Sequence, residues 1–226
     1  MRNELSHTIE DYLKVIYELT RRTGRAGTNE IAERMGVTPA SVTSMIKKLA
    51  ATQPPLLEYR KHHGVVLTAD GERVALEILR FHRLLEVFLH QILGYEWDEV
   101  HAEADRLEHV ISDQFAERIA TALGDPRHDP HGDPIPSRDL QMPRSAAQPL
   151  YELRAGQQAR VERVSDRDPE LLRYLAGLGI LPNTHLRVLE YSPFDENLRL
   201  QVDGQPEDVV LGPAVSREIY VQTETE

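Results

Sequence analysis

Cysteine is absent from the 226 residues. That excludes disulfides, thiolate metal sites and cysteine nucleophiles together. A signal peptide and any 18-residue apolar span are also lacking, so a soluble, cytoplasmic chain with no membrane segment is expected. Positive charge is scarce: the net charge is -11, which argues against nucleic-acid binding by the chain as a whole. The deficit is uneven, however. Residues 1–73 hold 11 Lys and Arg against 9 Asp and Glu, a net of +2, so the remainder carries -13. A slightly basic head on an acidic body permits DNA contact by the head alone.

Within the acidic part, the stretch from His82 to His109 is the most informative. It contains HRLLE at 82–86 and HAEADRLEH at 101–109. His82 and Glu86 share a helical face at a spacing of four. On one helix over 98–123, His101, Asp105, Glu108 and His109 would fall within an arc of about 100°. Leu107, Val110, Ile111 and Phe115 would then face the core. Two such helices, the other over 69–93, offer imidazoles and carboxylates without sulfur, a set suited to a divalent cation of intermediate hardness. The plainer interpretation is a solvated face with a few ion pairs. Phe81, Leu84, Leu85, Val87, Phe88, Leu89 and Ile92 make the 69–93 helix apolar around much of its circumference, which suggests a subunit interface and a dimer.

The head is a helix followed by a helix-turn-helix. Over 7–22, Ile9, Leu13, Ile16 and Tyr17 form one apolar face. Asp11 lies off it, where Thr8-x-x-Asp11 has the form of a capping box. Over 28–51, Thr28 can cap a first short helix that Gly36 ends. Thr38 and Pro39 open a second as N-cap and first-turn proline. Val42, Met45, Ile46 and Leu49 are its buried stripe. The opposite face carries Ala40, Ser41, Ser44, Lys47 and Lys48, small near the N-terminus and basic beyond, as a helix in a major groove requires. A plain αα-hairpin is the alternative. Residues 56–68 suggest a hairpin turning at Gly64, with Arg60, Lys61, His62 and His63 at its tip: a basic wing. Residues 125–149 hold six of the 14 prolines and form a strap. After it come short β-prone runs at 159–164, 185–191, 198–202 and 218–222. A helix near 169–177, with Asp168 as N-cap, interrupts them. Together they suggest a small barrel of about five strands.

IEDYL at 9–13, IAERMGVTPASVTSMIKKL at 31–49, HRLLE, HAEADRLEHVISD at 101–113 and LAGLGILPNT at 175–184 resemble the diphtheria toxin repressor family of metal-dependent regulators over essentially the whole chain. The resemblance implies a mainly α protein with a small β domain. Its parts would be a winged helix-turn-helix domain at 1–73, a helical metal-binding and dimerisation domain with its strap at 74–148, and an SH3-like, FeoA-type domain at 149–226. It implies a homodimer on palindromic double-stranded DNA, with Thr38, Ala40 and Ser44 on the base side. It also implies a regulatory site of Asp11, His82, Asp105, Glu108 and His109. An ancillary site would draw on His82, Glu86, His101, Asp129, His131 and Asp168, with Glu170 as a rival to Asp168. Some manganese sensors add a Glu where Lys14 stands, so the resemblance does not extend to a two-ion regulatory site. In the iron-sensing branch the positions of Asp11 and Asp105 are typically Met and Cys. Carboxylates there favour Mn²⁺ over Fe²⁺. Two other readings are a metallohydrolase using His82, Glu86, Asp105 and His109, for which no HExxH motif exists, and a DNA-binding protein whose acidic stripe is inert.

Overall fold

The computed structural model describes residues 5–60 and 64–224. They form two compact units. One takes in the chain up to Phe81 with Glu108–Ile111 and Pro136–Met142; the other comprises His82–Leu107, Ser112–Ile135 and the chain from Pro143 onward.

In the first unit, α1 (His7–Thr23), α2 (Thr28–Met35) and α3 (Pro39–Ala50) precede a hairpin of β1 (Leu57–Arg60) and β2 (Gly64–Leu67). Their core joins Leu13 and Ile16 of α1, Ile31 of α2, Val42, Ile46 and Leu49 of α3, and Leu57 and Val65 of the hairpin. The turn between α2 and α3 follows from its sequence. Gly36 takes the left-handed conformation at φ 63° and ends α2. The Thr38 hydroxyl then accepts from the Ser41 amide at 3.2 Å, and Pro39 fills the first turn of α3. Two expected caps fall elsewhere. Gly27, not Thr28, precedes α2, its amide donating to Glu30 Oε2 at 2.9 Å. Ser6, not Thr8, precedes α1, so Asp11 lies inside the helix and caps nothing. Lys61, His62 and His63 lie outside the described residues.

Helix α4 (Ala69–Leu93) runs through the division between the units after Phe81. The single helix expected over 98–123 is two, α5 (Val100–Leu107) and α6 (Asp113–Ala122). Ser112 is extended (φ -84°, ψ 156°) and its side chain accepts from the Phe115 amide, a helix start that a periodicity count passes over. The break shifts the phase of the apolar residues. Val110 and Phe115 are 66% and 48% exposed instead of facing the core, and α6 buries Ala116, Ile119 and Ala120. Along α4, Phe81, Leu84, Leu85, Val87 and Leu89 are buried within the chain itself, leaving Ile92 and Leu93 exposed.

The second unit ends in one antiparallel sheet of order β3-β8-β4-β5-β6-β7. Its strands are β3 (Gln148–Pro149), β4 (Gln158–Val164), β5 (His185–Tyr191), β6 (Leu198–Val202), β7 (Val209–Leu211) and β8 (Ile219–Glu224). Six strands replace the five expected because β3 and β7 are too short to read as runs. Helix α7 (Pro169–Gly177) follows β4, and a short α8 (Pro213–Ser216) precedes β8. Alternate residues Ala159, Val161, Leu186, Val188, Leu198 and Leu200 point into the core, closed by Leu172 and Leu175 of α7.

The proline-rich strap is fastened to this sheet. The Val164 amide donates to the His131 carbonyl at 2.9 Å. Gly132 makes the approach possible: its φ is +91°, and a Cβ there would lie 2.0 Å from the Glu162 carbonyl oxygen. Gly156 has the same φ with nothing within 4 Å. The pair separates backbone strain from close approach. Gly156→Ala is expected to cost about 1–2 kcal/mol, and Gly132→Ala roughly 3 kcal/mol or more. Denaturant unfolding of the two variants measures the difference; equal losses would show that the strap does not depend on the approach at Gly132.

Candidate metal centre

Each unit carries a cluster of imidazoles and carboxylates. In the first, the break before α6 is what builds it. Glu108 and His109 lie in the turn after α5, where they meet α1. The His109 Nδ1–H donates to Glu10 Oε2 at 2.6 Å, and Nε2 is 2.9 Å from Asp11 Oδ1 and 3.5 Å from Glu108 Oε1. His7 stacks on the same ring at 4.7 Å. Asp11, Glu108 and His109 each offer one ligand atom, all within 4.8 Å of one another. Lys14, one turn beyond Asp11, donates to both oxygens of Glu108 at 2.9 Å. Burial alone would lower the His109 pKa; the bonds to Asp11 and Glu10 and the charge of Glu108 outweigh it and raise it to about 9. An imidazole that donates from both nitrogens is charged, so a metal ion taking Nε2 would displace a proton.

In the second unit, α4 supplies His82 and Glu86 one turn apart, and α5 supplies His101 and Asp105. Glu86 Oε1 lies 2.9 Å from His82 Nε2 and 3.2 Å from His101 Nδ1. His82 Nδ1 lies 3.3 Å from Asp105 Oδ1. From the loop after β4 comes Asp166, whose Oδ2 is 3.2 Å from His101 Nδ1. Burial would lower the His101 pKa, but the hydrogen bonds to Asp166 and Glu86 carry it up to about 10. Asp168 is not the barrel's contribution. Its Oδ1 accepts from the amides of Glu170 and Leu171 at 2.9 and 3.4 Å, capping α7, and Glu170 is exposed in the first turn of that helix. Asp166 is the residue gathered with His82, Glu86 and His101.

The strap closes a second group around Glu86. His131 Nε2–H donates to the Trp97 carbonyl at 2.7 Å, which fixes the tautomer and leaves Nδ1 bare, 3.9 Å from Glu86 Oε1. Asp129 Oδ1 accepts from the amides of His131 and Asp133, both at 2.9 Å. Five buried side-chain polar atoms among the described residues have no hydrogen-bond partner, and three of them are Glu86 Oε2, Asp129 Oδ2 and His131 Nδ1. Unsatisfied buried polar atoms are costly. Three ligand atoms unsatisfied in one place are what a divalent cation would satisfy. Burial first, then the charges of Glu86 and Asp133, push the Asp129 pKa well above its ordinary value against the opposing pull of Arg83.

Of the metal ligands the resemblance implies, Asp11, Glu108 and His109 gather in one unit. His82, Glu86, His101, Asp105, Asp129 and His131 lie in the other, joined by Asp166. Sequence reasoning does not find Glu10 or Asp166, and it does not give Lys14 its contact with Glu108. Glu10 directly precedes Asp11 in IEDYL, and Asp166 stands two residues from the Asp-Pro pair that announces the cap. Of the residues expected to contact DNA, Thr38 at the N-cap and Ala40, Ser41, Ser44, Lys47 and Lys48 on α3 are all exposed. The Thr38 and Ser41 hydroxyls lie 2.9 Å apart. Arg60 is the last residue of β1.

The raised values of His109 and His101 set a pH dependence. Both imidazoles are held charged in the folded chain above their unfolded pKa of about 6.5. Their contribution to stability is full below that value and is lost as pH rises through about 9 and 10. With a chelator present, the melting temperature should fall from pH 6.5 to 10. With divalent ion present, affinity should strengthen over the same interval as protons cease to compete. A chelated chain whose melting point rises across this range would contradict the assignment.

Comparison with known proteins agrees with this geometry. Three family models match in order: the iron dependent repressor N-terminal DNA-binding domain at residues 4–65, the iron dependent repressor metal-binding and dimerisation domain at 68–137, and the FeoA domain at 148–223. The iron-dependent repressor IdeR of Mycobacterium leprae is 31% identical over 97% of this chain and 99% of its own length. The transcriptional regulator MntR of Oceanobacillus iheyensis is 37% identical over 50% of this chain and 74% of its own. A solved manganese-dependent transcriptional repressor in complex with manganese superposes with a TM-score of 0.86 at 42% identity, covering 94% of this chain and 98% of that one. These relatives are DNA-binding repressors, not enzymes, which removes the metallohydrolase reading. The chain belongs to the diphtheria toxin repressor family of dimeric, metal-dependent transcriptional repressors.

Proposed function

We propose that this protein is a Mn²⁺-dependent repressor that acts as a homodimer on palindromic operators of metal-ion uptake genes in the cytoplasm. Its segments would be a DNA-binding head at 1–73, a metal-binding and dimerisation part at 74–148, and a FeoA-type domain at 149–226. The observation that carries the reading is the meeting of Asp11 with Glu108 and His109. Asp11 belongs to the segment matched as DNA-binding, the other two to the segment matched as metal-binding and dimerising. His82 and Asp105 are proposed as further ligands of this regulatory ion on the ground of the resemblance. The ancillary ion would be held by Glu86, His101, Asp129, His131 and Asp166.

A bound divalent cation would supply the positive charge that lets these carboxylates converge. Without it they repel one another, and less holds α1 to the turn at 108–109. Because α1 shares one core with α3, fixing α1 fixes the recognition helix. A dimer reads a palindrome only when its two recognition helices stand about one helical turn, roughly 34 Å, apart. Operator binding must then tighten metal binding by the same factor. All candidate ligands are carboxylates and imidazoles, which suits Mn²⁺, the weakest binder of its series, because added anionic charge helps it. Fe²⁺ is the second reading, favoured by the full-length match to an iron-dependent repressor. No helix among the described residues is long and apolar enough to cross a membrane. On the DNA side, Thr38, Ala40, Ser41 and Ser44 would approach bases, Lys47 and Lys48 phosphates, and Arg60 and Lys61 the backbone beside the wing.

Asp11→Asn tests the reading. It should fold and dimerise as the parent does but require at least roughly tenfold more Mn²⁺ to bind operator, since losing a ligand costs no less than losing a group behind one. Fluorescence anisotropy of labelled operator against Mn²⁺ reads this, with anaerobic Fe²⁺ in parallel. Unchanged Mn²⁺ dependence would sink the regulatory site, and a lower requirement for Fe²⁺ than for Mn²⁺ would transfer the assignment to iron. Lys47→Ala should weaken operator and random DNA alike and reduce the salt slope by about one. A large loss confined to operator DNA would instead make Lys47 a base contact.

A further inference from the structure

Lys14 places an ammonium directly on Glu108, a ligand of the first cluster. It lies on α1 between Leu13 and Val15, both buried. Its Nζ sits 2.9 Å from each oxygen of Glu108, with the two side chains only 11% and 0% exposed. Burying an ammonium and a carboxylate together is weak as a source of stability, because both give up hydration. The carboxylate it neutralises is also the one that faces Asp11 and His109. A divalent ion accepted by those three groups would share Glu108 with a resident positive charge a few ångströms away.

Two consequences follow from charge alone. Every divalent ion is repelled by the ammonium and deprived of part of the Glu108 charge, so the affinity of the site drops for all of them. The drop matters most for ions that depend wholly on anionic oxygen. Mg²⁺ and Ca²⁺ take oxygen ligands, and their affinity follows ligand charge count. A transition ion also gains from the His109 imidazole, which does not pass through Glu108. We infer that Lys14 is a specificity-determining residue of the metal site: an internal cation that keeps Mg²⁺ and Ca²⁺ out while leaving enough affinity for an ion that uses the imidazole. The inference rests on Asp11, Glu108 and His109 being metal ligands.

The test uses the full chain, with Mn²⁺ as probe and Mg²⁺ as competitor. Calorimetry or the electron paramagnetic resonance of free Mn²⁺ reads occupancy, and the binding event weakened in Asp11→Asn identifies this site. Lys14→Met and Lys14→Gln should bind Mn²⁺ there at least roughly tenfold more tightly than the parent. Millimolar Mg²⁺ should weaken Mn²⁺ binding in both variants and leave the parent unaffected. Lys14→Arg should restore the parental affinity and the indifference to Mg²⁺. Melting in chelator shows which variants fold. Folded Met and Gln variants with unchanged or weaker Mn²⁺ binding would reduce Lys14 to a packing residue. Should neither fold, the parent still decides: displacement of its Asp11-dependent Mn²⁺ by millimolar Mg²⁺ overturns the inference, and indifference supports it. A parent with no Asp11-dependent Mn²⁺ event would overturn the metal assignment itself, a different failure from that of Lys14.

Discussion

His109 holds two distant parts of the chain together through both nitrogens of one ring. Nδ1–H donates to Glu10 and Nε2 meets Asp11, so a turn after α5 is tied to α1 almost a hundred residues earlier. The arrangement depends on Ser112. Were α5 to continue through it, Glu108 and His109 would remain on a helical stripe with His101 and Asp105. The N-cap stops that, and Glu108 and His109 turn to meet α1. Glu10 is then more than a neighbour of Asp11, since a carboxylate on Nδ1 fixes the ring and leaves Nε2 as the face open to a metal.

The two clusters solve the same electrostatic problem differently. In the first, positive charge is already present: a proton on His109 and the ammonium of Lys14 offset two of the three charges of Glu10, Asp11 and Glu108. In the second, the balance is incomplete. The imidazoles packed around Glu86 and Asp166, the charged His101 among them, hold both carboxylates ionised despite burial, and both pKa values lie below their ordinary range. Asp129 is left with burial and like charges against it, and Arg83 Nε at 3.5 Å is its nearest cationic relief. A cation-shaped deficit remains around Glu86 Oε2, Asp129 Oδ2 and His131 Nδ1.

Much of this was legible in the sequence because it rests on local rules. The Gly36 stop, the Thr38-Pro39 start and the α3 stripe need only helix chemistry, and they put Ala40, Ser41, Ser44, Lys47 and Lys48 on the exposed face of α3. HRLLE and HAEADRLEH mark candidate ligands through spacing, and the family resemblance adds Asp129 and His131 as candidates, which the strap itself does not mark. The misses arose where a local rule had two readers. Asp11 matched a capping box that Ser6 pre-empts by starting the helix earlier. The periodicity of 98–123 overrode a serine cap, and with it went the burial of Val110 and Phe115. Asp168 was assigned two duties, cap and ligand, although one carboxylate oxygen already serves two amides of α7; Asp166, which caps nothing, reaches His101. Lys14 was read as a missing ligand, and only its distance to Glu108 shows that it contributes a charge.

Exposure separates the clusters further. The Asp11 side chain is 41% exposed beside a buried Glu108, so the first cluster opens to solvent on one side. Glu86 and His131 are both fully buried, enclosed by α4, the strap and the end of β4 at Val164. An ion that reports its own concentration must come and go, and a site with one wet ligand and a competing ammonium permits that. An ion enclosed by the strap would have to displace packed backbone to leave, as the close approach at Gly132 shows. On the proposed reading the first cluster is therefore the sensor. On the same reading the second would be a clasp that binds the strap to the sheet.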